Sequence, residues 1–297
     1  MKVNKLSIKI FAPAKINLFL EILNLRNDGY HNVNMLMQSV NFCDELIISK
    51  SFDGKIKVTC DKNLDCSEKD NIVYKLSKKF FEYTGIKNPG VHIDIKKTIP
   101  EKAGLAGGSS DGAATLVGLN KIFEMSLPTE ALCAIAEEVG SDIPFCVVGG
   151  SALATGIGTE ISKIDSKLNF WTVIVKPPVD VSTKEAYELI DKCRSYDLKN
   201  VTEVLDALKQ GDLKALCKNL FNRFEENIQE KEIGKIKKLL LDNGSLGACM
   251  SGSGPSVYGI FTSFEDAKLC EKVMKKYYKN VFVCSTIHCG AFLDKNL

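Results

Sequence analysis

Four short stretches carry the residue types that could do chemistry. In Ile99–Leu119 (IPEKAGLAGGSSDGAATLVGL) the small residues Gly104, Ala106, Gly107 and Gly108 run into Ser109-Ser110-Asp111 and an alanine-rich helical stretch. Without bulky side chains the loop backbone can approach a ligand closely, and glycine tolerates the dihedrals such a loop needs. The serines can cap the helix, whose first turn leaves N–H groups with a partial positive charge. Close backbone, free amides and helix dipole together make a phosphate cradle. It is not a Walker loop, because Gly-x-x-x-x-Gly-Lys-Ser/Thr is absent. Neither this loop nor Gly156-Ile157-Gly158 nor Gly252-Ser253-Gly254 fits Gly-x-Gly-x-x-Gly.

The other three stretches are polar sites with two readings each. In Ala12–Leu20 (APAKINLFL) Lys15 and Asn17 alternate with Ile16 and Leu18, so both project from one face of a strand. Taken alone, that pattern is an exposed strand face carrying a solvated lysine. Asp142, in Gly140-Ser141-Asp142-Ile143-Pro144, suits the cap of a helical turn. Tyr30-His31 follows the turn Arg26–Gly29 and by itself reads as packing with a surface hydrogen bond.

Mixed elements must position these residues. Strands are expected at Ser7–Ala12, Ile16–Leu23, Leu36–Val40, Glu45–Ser49 and Lys55–Thr59, separated by turn residues. Asp70 is placed to cap a helix over Asn71–Tyr83; a strand at Val91–Ile95 delivers the chain to the loop and a helix at Ser110–Phe123. A helix opened by Pro128-Thr129 ends at Gly140, before a strand at Ala152–Thr155. Later come strands at Phe170–Val175, Gly247–Met250, Val257–Phe261 and Val281–Ser285, with helices near Thr183–Cys193, Val201–Leu208 and Lys231–Asp242 and another from Ser263. Without a regular βα repeat this is α+β rather than a doubly wound sheet. Two domains are expected, 1–160 and 161–297.

Composition excludes several classes. With 297 residues, 45% hydrophobic and 26% charged, the chain can bury a substantial core. A net charge of +2 implies no broad attraction to nucleic acid or membrane. Eleven cysteines, an odd number without Cys-x-x-Cys, and only three histidines argue against a disulfide scaffold or a zinc site, and for a reduced, cytoplasmic protein. No signal peptide or transmembrane span is expected.

Together the segments APAKINLFL, RNDGYH, AGLAGGSSDGAAT, GSDIPF and SGSGPS occur in the order found in the GHMP kinase superfamily, and the chain resembles its cytidyl-substrate branch from about Phe11 to Phe261. The resemblance implies an α+β two-domain fold, with an N-terminal domain like ribosomal protein S5 domain 2 and a ferredoxin-like C-terminal domain, and an active site in the cleft between them. It implies an ATP-dependent, Mg2+-assisted kinase that phosphorylates the 2-hydroxyl of a cytidine diphosphate-linked methylerythritol, releasing ADP, in the non-mevalonate route to isopentenyl diphosphate. The partner is a small molecule, with neither nucleic acid nor membrane involved, and the protein is a monomer or homodimer.

Residue by residue, the resemblance makes Lys15 and Asp142 the catalytic pair, Asp142 as base and Lys15 as the orienting charge. Lys97, Glu101, Lys102, Ala103, Gly104, Leu105, Ala106, Gly107, Gly108, Ser109, Ser110 and Asp111 fall on nucleotide-binding positions. Asn17, Tyr30, His31, Met37, Thr183 and Tyr187 fall on substrate positions, with His31 bonding the cytosine and Tyr187 stacking on it. Met37 departs from the second stacking aromatic of some members, and Glu101-Lys102 replace smaller residues at the loop entrance. Two rivals are another GHMP kinase, acting on mevalonate or homoserine, and a non-catalytic nucleotide- or RNA-binding module. The first should lack DGYH and Tyr187, and the second has no need of Lys15 with Asp142.

Overall fold

Ser7–Leu25 and His31–Ser51 each make one long strand rather than two short ones, the first buried without a break from Ala12 to Ile22. The computed structural model describes residues 6–62, 67–87, 90–192, 197–228 and 230–294. In chain order the elements are β1 (Ser7–Leu25), β2 (His31–Ser51), β3 (Ile56–Cys60), α1 (Ile72–Thr84), β4 (Gly90–Lys96), α2 (Gly107–Ile122), α3 (Thr129–Glu137), α4 (Ile143–Val148), β5 (Ser151–Thr155), β6 (Glu160–Ile164) and β7 (Trp171–Lys176). Then follow α5 (Thr183–Lys192), α6 (Thr202–Gln210), α7 (Leu213–Lys218), β8 (Phe221–Asn222), α8 (Arg223–Asn227), α9 (Lys231–Asp242), β9 (Gly247–Met250), β10 (Val257–Phe261), α10 (Phe264–Met274), β11 (Asn280–Ser285) and β12 (Phe292–Leu293). Cys193, the expected end of α5, lies outside the described residues.

The first sheet runs β12-β1-β2-β4-β3, with β5 on β2, β6 on β5 and β8 on β1. The expected boundary at residue 160 falls at the first residue of β6, and β8 and β12 also return to this sheet. The second sheet, β11-β7-β10-β9, is antiparallel throughout. Its strand order with α9 and α10 on one face is the ferredoxin-like arrangement expected of the C-terminal half. Its other face packs Ile174, Tyr258 and Ile260 against Ala14, Ile16 and Leu18 of β1.

That last contact corrects the expectation of an exposed strand face at Lys15. Register shifts between Pro13 and Lys15, and again between Asn17 and Phe19, mark irregularities in β1. Before the first, Ile10 and Ala12 face the core under α2; after it Ala14, Ile16 and Leu18 face the second sheet; beyond the second, Leu20 and Ile22 are back under α2. A bulge moves a whole row of side chains to the other face. The odd row, which carries partly exposed Lys9 and Phe11, therefore turns Lys15 and Asn17 inward, where they are 3% and 0% exposed.

Helix α2 fits between the first sheet and α1 because its facing residues are small. A Cβ on Gly112 would lie 2.5 Å from Leu76 Cδ1, and one on Gly118 2.3 Å from Ile48 Cδ1. The cap of α1 is Asn71, whose side chain accepts from Val73 N, one residue past the expected Asp70. Asp70 instead ends a 3-10 turn that Ser67 caps.

A buried ion pair joins the halves. Glu21, fully buried on β1, accepts from Arg223 Nε at 2.7 Å and Nη2 at 2.6 Å, and from the backbone of Ile22 and Lys199. Arg223 also donates to the Asp197 carbonyl at 2.9 Å. Removing one partner of such a pair strands a charge in the interior. Arg223→Ala is expected to cost about 3–5 kcal/mol of stability, measured by urea denaturation; a loss below about 1 kcal/mol would show the pair to be dispensable.

Candidate active site

The loop before α2 is held from below. Lys15 N donates to Leu105 O at 3.1 Å, and Ser251 Oγ donates to Gly104 O at 2.9 Å. Gly104 has φ +72°, and a Cβ there would lie 2.1 Å from Ser251 O, so only glycine lets the loop meet the Ser251–Gly254 turn. Helix α2 starts after Ala106, with no side-chain cap. The serines expected to cap it do not: Ser110 Oγ donates to Pro13 O at 2.7 Å. The first-turn N–H groups are left without that partner, which is what an anion needs.

Along this loop lies a cavity of about 490 Å³, lined by Asn71, Ile72, Lys97, Glu101, Lys102, Ala103, Gly104, Ala106, Gly107, Gly108, Ser109 and Asp111, among others. Leu105 and Ser110 line neither this cavity nor the larger one beyond it; both are buried beneath the loop. Lys97 donates to Asp111 Oδ2 at 2.7 Å and also to Asp44. Burial opposes its charge, but the two carboxylates outweigh that and raise its pKa. Burial also pushes Asp111 well above the usual carboxylate range, with Asp44 adding to it and Lys97 opposing. Among the described residues its Oδ1 is buried without a partner.

A second cavity, about 1050 Å³, shares Lys102, Gly104 and Ala106 with the first. Lys15 and Asp142 line it together. Lys15 Nζ donates to Asn17 Oδ1 at 2.6 Å, and that oxygen also accepts from Gly252 N at 2.9 Å. Burial pulls the Lys15 pKa below the ordinary lysine value, while nearby Asp142 pulls the other way. Asn17, expected to touch substrate, is fully buried and off the cavity wall; it positions Lys15 instead. Asp142 occupies the N-cap position of α4 but makes no side-chain cap hydrogen bond, and its φ, ψ of −80°, −15° are helical rather than extended. The capping role is not the one it performs; its carboxylate is available to the cavity.

Tyr30, His31 and Tyr187 also line this cavity. The turn before β2 presents the first two: Asp28 holds Arg26 and accepts from Tyr30 N at 3.1 Å, and Gly29 takes φ +85°. Tyr187 stacks on His31 with 5.1 Å between centroids, and meets Phe224 edge-on at 4.9 Å. Burial, with Asp142 nearby, pushes the Tyr187 hydroxyl up to about 12. Thr183 bonds Ser253 at 2.8 Å, tying the start of α5 to the glycine-rich turn. Met37 is the clearest correction. It is fully buried in the core and off the wall, because the same face of β2 meets the cavity one pleat earlier, at Met35.

Phe224, Asp191 and Met35 were not singled out from sequence. Phe224 stands in FNRFEEN, which has no local motif; only its position after a strand paired to β1 brings it here. Asp191 is one turn beyond Tyr187 on α5, a spacing that could have flagged it.

A model of the GHMP kinases N terminal domain matches residues 71–150, and one of the GHMP kinases C terminal matches residues 204–280. The chain is 41% identical over 284 residues to a 4-diphosphocytidyl-2-C-methyl-D-erythritol kinase of Clostridium tetani, covering 94% of this chain and 100% of that one. It is 38% identical over 287 residues to the kinase of the same name from Caldicellulosiruptor bescii, covering 96% and 100%. The crystal structure of a 4-(cytidine 5'-diphospho)-2C-methyl-D-erythritol kinase superposes with a TM-score of 0.79 at 25% identity, over 94% of this chain and 99% of that one. A homoserine kinase from Cytophaga hutchinsonii superposes with 0.82 at 22% identity, over 99% of each. Shape alone thus fits either enzyme, and sequence separates them. The chain belongs to the GHMP kinases, in the family of the 4-diphosphocytidyl-2-C-methyl-D-erythritol kinases.

Proposed function

We propose that the protein transfers the γ-phosphate of ATP to the 2-hydroxyl of 4-diphosphocytidyl-2-C-methyl-D-erythritol, giving the 2-phosphate and ADP. The observation that carries this reading is the pair of cavities meeting at Lys102, Gly104 and Ala106, with Lys15 and Asp142 on the far side of that junction. The smaller cavity suits the nucleotide, its phosphates against the uncapped start of α2. The larger suits a long acceptor, its base among Tyr30, His31 and Tyr187 and its polyol at Asp142.

Asp142, freed from capping, takes the proton of the attacking hydroxyl. Lys15, held by Asn17, offsets negative charge developing between donor and acceptor. Phosphoryl transfer depends chiefly on such positioning and electrostatics. Magnesium carried by a nucleotide keeps phosphate oxygens and water and asks for one or two carboxylates. Asp111, which lines the nucleotide cavity and has a buried Oδ1 without a partner among the described residues, fits that demand and would hold the ion, which would supply positive charge to the phosphates. Burial is the first cause of its raised pKa, and a cation bound there would favour the ionised carboxylate.

A homoserine kinase reading has the fold in its favour, but a roughly 1050 Å³ cavity with three aromatic rings is out of scale with an amino acid. ADP release with the cytidyl substrate, mevalonate and homoserine tested side by side decides the matter. Turnover is expected with the first alone, and equal turnover of either other would sink the assignment.

Asp142→Asn is nearly isosteric, so both ligands should still bind while turnover drops by on the order of 10²–10⁴-fold. Near wild-type turnover in the folded variant would remove Asp142 from the mechanism. A Cβ on Gly108 meets only Ile72 Cδ1 at 3.6 Å, whereas one on Gly107 is 3.0 Å from Ile99 Cγ2. Gly108→Val should therefore fold and narrow the nucleotide cavity, weakening ATP at least about tenfold with little effect on the cytidyl ligand; calorimetric titration of each ligand checks this. Lys15 acts only while protonated, and burial lowers its pKa from 10.5. Turnover should fall as pH rises through that lowered value, giving an alkaline limb below 10.5 that Lys15→Arg moves upward. A limb unchanged in the arginine variant would assign it elsewhere.

A further inference from the structure

His31, the first residue of β2, lines the larger cavity, and its Nε2 lies 2.8 Å from Asp191 Oδ1 on α5. An ionised carboxylate can only accept, so Nε2 carries a proton, and the neutral tautomer that fits this contact is the Nε2–H form. The other nitrogen, Nδ1, then presents a lone pair. Among the described residues Nδ1 has no hydrogen-bond partner, and stacking on Tyr187 at 5.1 Å fixes the plane in which that lone pair lies.

We propose that Asp191 is a positioning residue that sets base specificity. By holding His31 in the Nε2–H form it makes Nδ1 an acceptor, which takes the 4-amino group of cytosine and disfavours the 4-oxo group of uracil. Cytosine offers a donor at that position and uracil an acceptor, so the choice of tautomer is a choice of base. Without Asp191 the ring can carry its proton on Nδ1 and accommodate either. The proposal deepens the cytidyl reading above and rests on it. Asp191 itself is 46% exposed and the His31 side chain 7%, so its removal costs one ring N–H its partner at the cavity wall, and a melting curve of Asp191→Ala checks that the fold stands.

Two measurements on the full chain test this. In ¹⁵N-histidine-labelled protein the three histidines give few enough signals to assign by long-range correlation. His31 should appear as the Nε2–H form in the wild type and as a mixture in Asp191→Ala. Calorimetry with cytidine diphosphate and uridine diphosphate should give a wild-type preference for cytidine of about tenfold, the worth of one ordinary hydrogen bond. That preference should collapse to about twofold or less in Asp191→Ala, with binding of a non-hydrolysable ATP analogue retained. A merely structural tether would weaken both diphosphates alike and leave their ratio unchanged. An unchanged ratio, or a His31 protonated on Nδ1 in the wild type, overturns the proposal while leaving the cytidyl reading intact. Failure of the wild type to prefer cytidine diphosphate at all overturns both.

Discussion

The placement of one buried ammonium governs the rest of the molecule. Lys15 lies in the middle of a strand covered on both faces, where an unpaired charge would be costly. It is there because irregularities in β1 swap the faces of the strand for the length of Ala14–Leu18. The short segment between them gives its apolar row to the second sheet and its polar row to the catalytic side. Asn17 belongs to the same turned row and supplies the oxygen that Lys15 requires, and Gly252 N completes that oxygen's coordination. The charge is thus held by the seam between two sheets, so the two halves must be assembled before it can be placed.

The loop and the helix behind it answer to the same seam. Gly104 must be glycine because the Ser251–Gly254 turn of the second half lies against it, and Lys15 N holds the adjoining Leu105 carbonyl. Fixing the loop from both halves leaves α2 to begin without a cap. A capped helix would be more stable by about 1 kcal/mol, but its first amides would be engaged. Ser110, inside the first turn of α2 rather than at its N-cap, fastens the helix to Pro13, next to the irregularity that turns Lys15 inward.

Legibility in the sequence followed the range of the interactions. The loop, the segments around Lys15 and Asp142 and the Tyr30-His31 turn could each be picked out because each is a contiguous stretch of sequence, and the fold brings Lys15 and Asp142 to one cavity. The strand and helix positions were largely readable too, although five early strands became three, two of them long. The misreadings share a cause. Lys15 as a solvated residue, Asn17 and Met37 as substrate contacts, and Ser109-Ser110 as caps each depend on which way a side chain turns, and bulges and neighbouring sheets decide that. Alternation along a strand reports a face only while the register is unbroken. Phe224 was invisible for a related reason, since only the docking of α8 beside β1 brings it against Tyr187, whereas Asp191 stood one helical turn beyond Tyr187.

The frame superposes on a homoserine kinase slightly better than on a cytidyl kinase, so shape does not separate the two. Under the cytidyl proposal, selection would fall to side chains that line the larger cavity from both halves: Tyr30 and His31 from the turn into β2, Tyr187 from α5 and Phe224 from α8. Phe224 is fixed by its neighbour Arg223, whose buried pairing with Glu21 anchors α8 to the strand that carries Lys15. One strand therefore carries Lys15 and, through Glu21, holds the element that bears Phe224. A change that loosened the Glu21 pair would be felt at both, because binding energy gathered at the base can serve catalysis only if the distance between the two ends is held.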